Sequence, residues 1–280
     1  MLGRVAVVTD STACLPDELV REFGISVVQV QLHVGDRTDD EARIDNDDVL
    51  DAMRGGVAVS TSPPDVNAFF WTYQQAITSG AEAIVSVHLS GRMSATVEAA
   101  REAGGYVRVP VHVLDSQTTG MSLGYAALGA ARVSAAGGNP RRVIAAAEHR
   151  FTTSAELVYV DTLEFLRRGG RIGAASALLG TALSIKPLLT VRSGEVAPLA
   201  KVRSTKRAIE RMLDLAVERA ASHEVDLAVT RFGQDDRAKD VCLRLRERLP
   251  HAREPLLVES SAVIGAHCGP GAFSITVSNV

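Results

Sequence analysis

The sequence predicts an α/β fold in which a mostly parallel sheet is flanked by helices and joined to a smaller α+β unit. Over the first half, short runs of β-branched residues alternate with longer helical patterns, which is typical of βαβ units. The stretch Gly137-Gly-Asn-Pro140 interrupts this alternation. Beyond it, two strand patterns flank Ser193-Gly194-Glu195, a hairpin signal followed by further helices.

The elements follow from hydrophobic periodicity, taken in chain order. The strands predicted in the first half are Val5–Val8, Ser26–Val30, Val57–Val59, Ala83–Val87 and Val111–Leu114. The helices predicted there are Asp17–Phe23, Asp47–Met53, Asp65–Thr78, Ser94–Ala103, Gly120–Ala135 and Arg141–Phe151. The second half adds strands Leu188–Val191, Val196–Val202, Asp226–Val229, Leu256–Glu259 and Phe273–Val277, and helices Thr205–Ala221 and Asp235–Leu249. We expect two domains, residues 1–155 and 156–280.

Composition narrows the class of protein. A chain of 280 residues that is 46% hydrophobic and 22% charged can bury sizeable cores. Its formal net charge of -3 argues against nucleic acid or an anionic membrane surface as the partner. The widely spaced Cys14, Cys242 and Cys268 predict neither a disulfide framework nor a metal site. Without a signal-peptide pattern or an apolar run of roughly 20 residues, we expect a cytoplasmic protein with no transmembrane segment.

The segment Val59-Ser-Thr-Ser-Pro-Pro-Asp65 is the first candidate site. A strand ends here, Ser62 fits a helix N-cap, and Pro63 fits the first helical position. These features describe an ordinary helix start. They also describe an anion site, because a helix N-terminus with the spare hydroxyl of Thr61 beside it attracts negative charge.

A second strand-to-helix turn contains Ser90-Gly91, followed by Arg92-Met93 and a predicted cap at Ser94. Gly91 would let the backbone approach a ligand closely. If both turns belong to one parallel sheet, they open on the same edge, which is where α/β sheets bind ligands.

Two further segments carry candidate residues. His267 lies in Ile264-Gly-Ala-His-Cys-Gly-Pro-Gly271, whose three glycines and proline predict an unusual loop, where an imidazole either supports the structure or contacts a ligand. Arg167 and Arg168 precede Gly169-Gly170 as a helix C-terminus normally requires. Arg171 follows the glycines and has no capping role, so a phosphate or a partner protein could be its contact.

Taken together and in order, these motifs resemble the DegV family of fatty-acid-binding proteins. The matching segments are Val8-Thr-Asp-Ser-Thr12, Thr61-Ser-Pro-Pro64, Leu89-Ser-Gly91, Asp115-Ser116, Gly169-Gly-Arg-Ile172, Lys186-Pro-Leu188 with Lys201-Val-Arg203, and Gly265-Ala-His-Cys-Gly-Pro-Gly271. Each motif is short and common, whereas the ordered set spans essentially the whole chain and is far more specific.

The resemblance implies a lipid held between two domains. The family's carboxylate-binding threonine falls on Thr61, its Leu-Ser-Gly serine on Ser90, and its histidine near the lipid head on His267. Ser62, Gly91 and Arg92 are neighbouring candidates. The ligand would be a long-chain fatty acid such as hexadecanoate, with no other cofactor and no metal.

The resemblance also implies a place in phospholipid metabolism. Characterised relatives present the fatty acid to a separate ATP-dependent fatty acid kinase subunit, which makes an acyl phosphate. In that scheme this chain is the lipid-binding subunit and not an enzyme, and Arg171 and Arg203 are candidate contacts to the partner or to phosphate. The sequence departs from the family after Ser90, where Arg92-Met93 replaces the common Thr-Tyr.

Two alternatives remain open from the residues alone. Gly120-Met-Ser122-Leu-Gly124 matches the elbow of serine hydrolases, and Asp161 and His267 follow in the expected order. However, Ser116-Gln-Thr-Thr119 separates the predicted strand from the elbow, where a sharp turn is required. A non-catalytic regulator that senses a lipid is the other alternative.

Overall fold

Four parallel strands form the sheet of the N-terminal half. The computed structural model describes residues 4–178, 186–220, 223–233 and 236–280. The strands β1 (Val5–Asp10), β2 (Ser26–Val28), β6 (Ala83–His88) and β7 (Val111–Asp115) pair in the order β2-β1-β6-β7. The predicted fold class is confirmed, since the α/β half is joined to further sheet and helix beyond residue 155.

Helices cover both faces of this sheet. The chain forms α1 (Asp17–Phe23), α2 (Asn46–Arg54), α3 (Val66–Thr78), α4 (Thr96–Gly104), α5 (Met121–Ala135), α6 (Pro140–Thr153), α7 (Glu164–Arg168), α8 (Thr205–Ala220), α9 (Asp236–Arg248) and α10 (Ala262–Cys268). Alternate residues of β1 and β6 face opposite sides of the sheet. Val7 and Val85 pack with α5 and α6, whereas Val8 and Ile84 pack with α3 and α4.

A mixed sheet of six strands follows. It comprises β8 (Ala155–Tyr159), β9 (Lys186–Arg192), β10 (Glu195–Val202), β11 (Val225–Arg231), β12 (Leu256–Glu259) and β13 (Phe273–Asn279), in the order β10-β9-β8-β13-β11-β12. One face is apolar and packs on α8 and α9 through residues such as Leu157 and Ile275. The opposite face meets α5, where the Tyr125 hydroxyl donates to the carbonyl of Leu227 at 2.8 Å.

A small antiparallel sheet from the N-terminal half packs against α10 of the C-terminal half. Its strands are β3 (Gln31–Val34), β4 (Arg37–Asp40) and β5 (Val59–Ser62), in the order β4-β3-β5. Leu32 and Val49 share one apolar cluster with Val263 and Ala266 of α10. The division into 1–155 and 156–280 therefore stays a prediction: β8 begins the six-stranded sheet at Ala155, yet α10 packs on the N-terminal small sheet.

Several sequence-based predictions of local structure are wrong. The strand predicted at Val57–Val59 was expected in the parallel sheet, but β5 pairs antiparallel with β3. The β5 strand runs through Ser62, and α3 is capped by Asp65, whose carboxylate accepts from Asn67 N at 2.7 Å. Similarly, Ala95 and not Ser94 occupies the N-cap of α4. His267 lies in the last turn of α10 and not in a loop.

The bounds of the other predicted helices and strands agree with the observed bounds to within a few residues. The hairpin turn at Ser193-Gly194 joins β9 to β10 as predicted. The strands β3, β4 and β8 were not predicted. Ala221 and Asp235, at predicted helix ends, lie outside the described residues. Within the described ranges, no helix has both the length and the apolar character needed to cross a bilayer.

Candidate functional site

Two adjacent pockets lie between the mixed sheet and the rest of the molecule. We call them the Thr61 pocket and the Glu156 pocket, and each has a cavity volume of about 70 Å³. Both are walled by the same five residues, Thr119, Leu166, Val196, Ile264 and Cys268. The two pockets are therefore adjacent, and the lining of each is mostly apolar.

The Thr61 pocket contains a hydroxyl–imidazole pair. Thr61 is the penultimate residue of β5. His267 projects from α10, which packs on the same small sheet. The Oγ1 of Thr61 and the Nε2 of His267 are 2.8 Å apart. Ser62 also lines this pocket, and its hydroxyl lies 2.9 Å from Nε2 of His33. Two of the residues singled out in the sequence thus form a direct hydrogen bond.

The electrostatics of this pocket depend on His267 and Arg171. Burial lowers the pKa of His267 to about 4, and the nearby positive charge of Arg171 acts in the same direction. The imidazole is therefore neutral near pH 7. Arg171 is the only formally charged side chain among the described walls of the Thr61 pocket. Its guanidinium donates to the carbonyls of Met93 at 3.0 Å and Gly169 at 2.7 Å.

Gly169 is required by the position of His267. A Cβ atom at residue 169 would lie 2.2 Å from Nδ1 of the imidazole. The backbone of the Gly169-Gly170 turn thus approaches the ring as closely as glycine permits. The Nδ1 atom is buried and has no hydrogen-bond partner among the described residues. The sequence predicts Gly169-Gly170 only as a helix C-terminus. In the structure, Gly169 also leaves room for the imidazole of His267.

The Glu156 pocket lies against the face of the mixed sheet that points away from α8 and α9. Its apolar walls include Val158, Leu189, Phe232 and Phe273. Glu156 itself is 4% exposed and accepts from three hydroxyls: Ser122 at 2.8 Å, Thr276 at 2.8 Å and Ser274 at 2.6 Å. Burial raises the pKa of Glu156, although these hydrogen bonds oppose the shift. Sequence reasoning missed this residue, because one glutamate in Ala-Glu-Leu-Val-Tyr resembles the polar position of an ordinary strand.

Comparison with known proteins decides the family. The model described as an uncharacterised protein of the DegV family matches residues 4–280. This chain belongs to the DegV family. A DegV domain-containing protein of Streptomyces coelicolor is 43% identical over 280 residues, covering 100% of both chains.

Solved DegV structures are similar throughout. A DegV family protein from Thermus thermophilus, described by its fatty acid binding, is 31% identical with a TM-score of 0.91 and covers 99% of this chain and 100% of its own. DegV from Bacillus subtilis, a fatty acid binding protein, is 29% identical with a TM-score of 0.91 and the same coverage.

The Leu-Ser-Gly segment of this DegV chain supports a hairpin. Ser90 is fully buried, and its hydroxyl donates to the carbonyl of Gly194 at 2.7 Å. Gly91 N donates to Asp115 at 3.1 Å. Arg92 donates to the carbonyl of Ser193 at 3.2 Å and forms an ion pair with Glu195 at 2.5 Å. Neither Ser90 nor Arg92 is a wall of the two pockets, whereas the adjoining Leu89, Met93 and Ser94 are walls of the Thr61 pocket.

The two arginines proposed for contacts lie in different surroundings. Arg171 is a wall of the Thr61 pocket. Arg203 is exposed, directly after β10, and forms no ion pair among the described residues. Only Arg171 is therefore near the Thr61–His267 pair.

The residues of the hydrolase alternative are engaged elsewhere. The Ser122 hydroxyl donates to Glu156, and His267 is paired with Thr61. Asp161 accepts from the Tyr159 hydroxyl at 2.7 Å and from Lys186 at 3.1 Å. These bonds leave no serine–histidine–aspartate relay.

In the part of the chain that the structure describes, no three His, Cys, Asp or Glu side chains are grouped as metal ligands.

Proposed function

We propose that this protein binds one long-chain fatty acid, with its carboxylate at Thr61 and His267 and its acyl chain in the Glu156 pocket. The observation that carries the proposal is the pair of adjacent apolar pockets with a hydroxyl–imidazole pair in one of them. The fatty-acid-binding relatives from Thermus thermophilus and Bacillus subtilis, which share the fold over essentially the whole chain, support it.

The acyl chain would supply most of the affinity. Each buried methylene contributes roughly 0.8 kcal/mol, so a 16-carbon chain such as hexadecanoate gains on the order of 10 kcal/mol before the costs of association. The carboxylate then has to be hydrogen-bonded rather than strongly attracted, because an unpaired buried charge would cancel much of this gain.

Thr61 and His267 suit that requirement. When the neutral His267 donates from Nε2 to the Thr61 oxygen, the Thr61 hydroxyl proton is available to a carboxylate oxygen. Arg171 adds positive charge nearby, while its bonds to the carbonyls of Met93 and Gly169 keep it from clamping the carboxylate in a bidentate pair. A carboxylate held in this way keeps a lone pair for attack on phosphorus.

The role that fits this arrangement is substrate presentation. A separate ATP-dependent fatty acid kinase would supply the nucleotide, the carboxylate oxygen would attack the γ-phosphorus, and ADP would leave as the acyl phosphate forms. This chain would hold the lipid in the cytoplasm and perform no chemistry itself. Arg171, and with less structural support Arg203, are the proposed contacts to phosphate or kinase.

Mass spectrometry tests the binding step. Protein purified from a bacterial host should release one fatty acid per chain under denaturing conditions, and delipidated protein should take up hexadecanoate. If the fresh protein carries no acyl chain and takes none up, the proposal is wrong.

The kinase step needs a separate assay. Lipid-loaded protein, a fatty acid kinase subunit and ATP should give acyl phosphate, trapped as the hydroxamate with hydroxylamine. Arg171→Ala should lower the yield without releasing the lipid. Lipid binding without any product with such a kinase would favour a lipid-sensing regulator instead.

A further inference from the structure

Two threonine hydroxyls in the Glu156 pocket have no hydrogen-bond partner among the described residues. Thr230 of β11 is 5% exposed, and its Oγ1 is buried without a hydrogen bond among the described residues. The same is true of Oγ1 of Thr119, which precedes α5. Both residues are walls of the Glu156 pocket. Such groups are rare in folded proteins, where most buried polar atoms are paired.

A plain hydrocarbon chain would leave both hydroxyls unsatisfied. A buried hydroxyl without a partner costs roughly 1–3 kcal/mol, and hydrocarbon cannot accept or donate a hydrogen bond. Filling the pocket with an unsubstituted acyl chain also excludes water from it. At these two positions the lining of the pocket is therefore poorly matched to an unsubstituted acyl chain.

The polar groups lie together on one face of the mixed sheet. Thr230 is paired in register with Ser274 of β13, so both side chains point to the same face. Ser274 donates to Glu156, the next polar wall on that face. The opposite face of the same strands carries Val229 and Ile275, which pack in the apolar core under α8 and α9. Polarity is thus concentrated where the sheet meets the pocket.

We propose that the ligand is a fatty acid with a hydroxyl group on its acyl chain, held by Thr230 and Thr119. This inference rests on the proposed fatty-acid-binding function and specifies its substrate class. A hydroxyl both donates and accepts, so it can pair with a threonine hydroxyl in either sense. The carboxylate stays at Thr61 and His267, and the other walls shared by the two pockets, Leu166, Val196, Ile264 and Cys268, contact only methylene groups.

The test compares ligands on delipidated full-length protein. Dissociation constants are measured for hexadecanoate and for a panel of monohydroxy hexadecanoic acids with the hydroxyl at successive carbons from mid-chain to the end. At least one isomer should bind about fivefold or more tightly than hexadecanoate, as one additional buried hydrogen bond provides.

Variants locate the effect. Thr230→Val and Thr119→Val keep the side-chain shape and remove the hydroxyl, so each should reduce the ratio of the affinity for the favoured isomer to the affinity for hexadecanoate. Thr9→Val is the matched control, since Thr9 is also buried with an unpartnered Oγ1 but lines neither pocket. It should not alter the preference.

The outcomes separate this inference from the proposed function. If hexadecanoate binds and every hydroxy isomer binds more weakly, the hydroxyl subsite is refuted while fatty acid binding stands. If a hydroxy isomer is preferred but both valine variants keep that preference, Thr230 and Thr119 are not its contacts and the inference fails. If no acid of either kind binds, the proposed function itself fails.

Discussion

The Oγ1 of Thr61 and the Nε2 of His267 lie 2.8 Å apart, although 206 positions separate the two residues in the chain. The bond exists because α10 packs on the small β4-β3-β5 sheet through Leu32, Val263 and Ala266. The carboxylate site that we propose is therefore built by contact between the N-terminal and C-terminal parts of the chain. Its geometry depends on that docking as well as on the two side chains.

Replacing Thr61 by valine should weaken fatty acid binding. The substitution keeps the shape of the side chain and removes the hydroxyl that we expect to donate to the carboxylate. Loss of a hydrogen bond to a charged group costs roughly 1–3 kcal/mol, which corresponds to a 5- to 150-fold increase in Kd. Titration of delipidated protein with hexadecanoate measures the change.

Thr38→Val is a matched control for this experiment. Thr38 also pairs with a histidine, since its Oγ1 lies 2.8 Å from Nδ1 of His33, and it belongs to the same small sheet. It is a wall of neither pocket, so its loss should leave Kd unchanged. Equal Kd values for wild type and Thr61→Val would place the carboxylate elsewhere.

The stability of the lipid-free protein should decline on acidification because of His267. The folded-state pKa of His267 is lowered from 6.5 to about 4, so the unfolded chain binds a proton over this interval and the folded chain does not. The folded state therefore loses stability as the pH falls from 6.5 to about 4, by on the order of 3 kcal/mol.

The comparison that isolates this effect is His267→Gln. Urea unfolding of wild type and variant at several pH values should show the difference in unfolding free energy changing across that interval, because Glu41, Glu156 and the other titrating groups are common to both proteins. Parallel pH profiles would mean that His267 has an ordinary pKa.

Much of the fold follows from local sequence pattern. Runs of β-branched residues predict β1, β6 and β7, and apolar periodicity predicts α3, α5 and α6. All six elements occur in the structure, so the βαβ alternation correctly predicts the parallel sheet. The strand β4, Arg37–Asp40, is fully polar and carries no such pattern. Gly265 and its small neighbours made α10 resemble a loop, whereas Gly265 permits Phe232 to pack against that helix.

The site was predictable only in part, because its contacts join distant segments. Motif resemblance singled out Thr61 and His267, but nothing local indicates that they touch. Ser90 was expected beside Thr61 on one sheet edge, and its bond to Gly194 depends on where the β9–β10 hairpin docks. Glu156 has no local signal, since its three hydroxyl partners come from α5 and β13.

Removing the Ser90 hydroxyl should accelerate lipid release. The bond from Ser90 to the Gly194 carbonyl is buried, and Arg92 adds only exposed contacts to the same hairpin, which are worth about 0–1 kcal/mol. Ser90→Ala leaves the buried carbonyl unpaired at a cost of roughly 1–3 kcal/mol, so we expect the hairpin to open more often. Stopped-flow release of a fluorescent fatty acid should show a faster dissociation rate.

Ser134→Ala controls for loss of a serine-to-carbonyl bond. Ser134 donates to the carbonyl of Val5 at 2.5 Å and is a wall of neither pocket. Its variant should release lipid at the wild-type rate. If Ser90→Ala also does so, the hairpin does not limit release.

Gly169→Ala should disturb His267 through a direct steric contact. The backbone at Gly169, with φ −73° and ψ −5°, is one that alanine adopts freely, so backbone strain does not contribute. The added Cβ would lie 2.2 Å from Nδ1 of His267, and either the ring or the turn must move. We expect a loss of roughly 1–3 kcal/mol in unfolding free energy, as overpacked sites show, together with weaker fatty acid binding.

Gly105→Ala distinguishes that contact from the general effect of the substitution. Gly105 follows α4 with nearly the same backbone, φ −71° and ψ −15°, and its Cβ would meet only a backbone oxygen of Glu102 at 3.3 Å. Its variant should retain wild-type affinity. Wild-type affinity in Gly169→Ala as well, with an unchanged NMR signal from the His267 ring, would show that the turn yields and that the imidazole does not depend on this glycine.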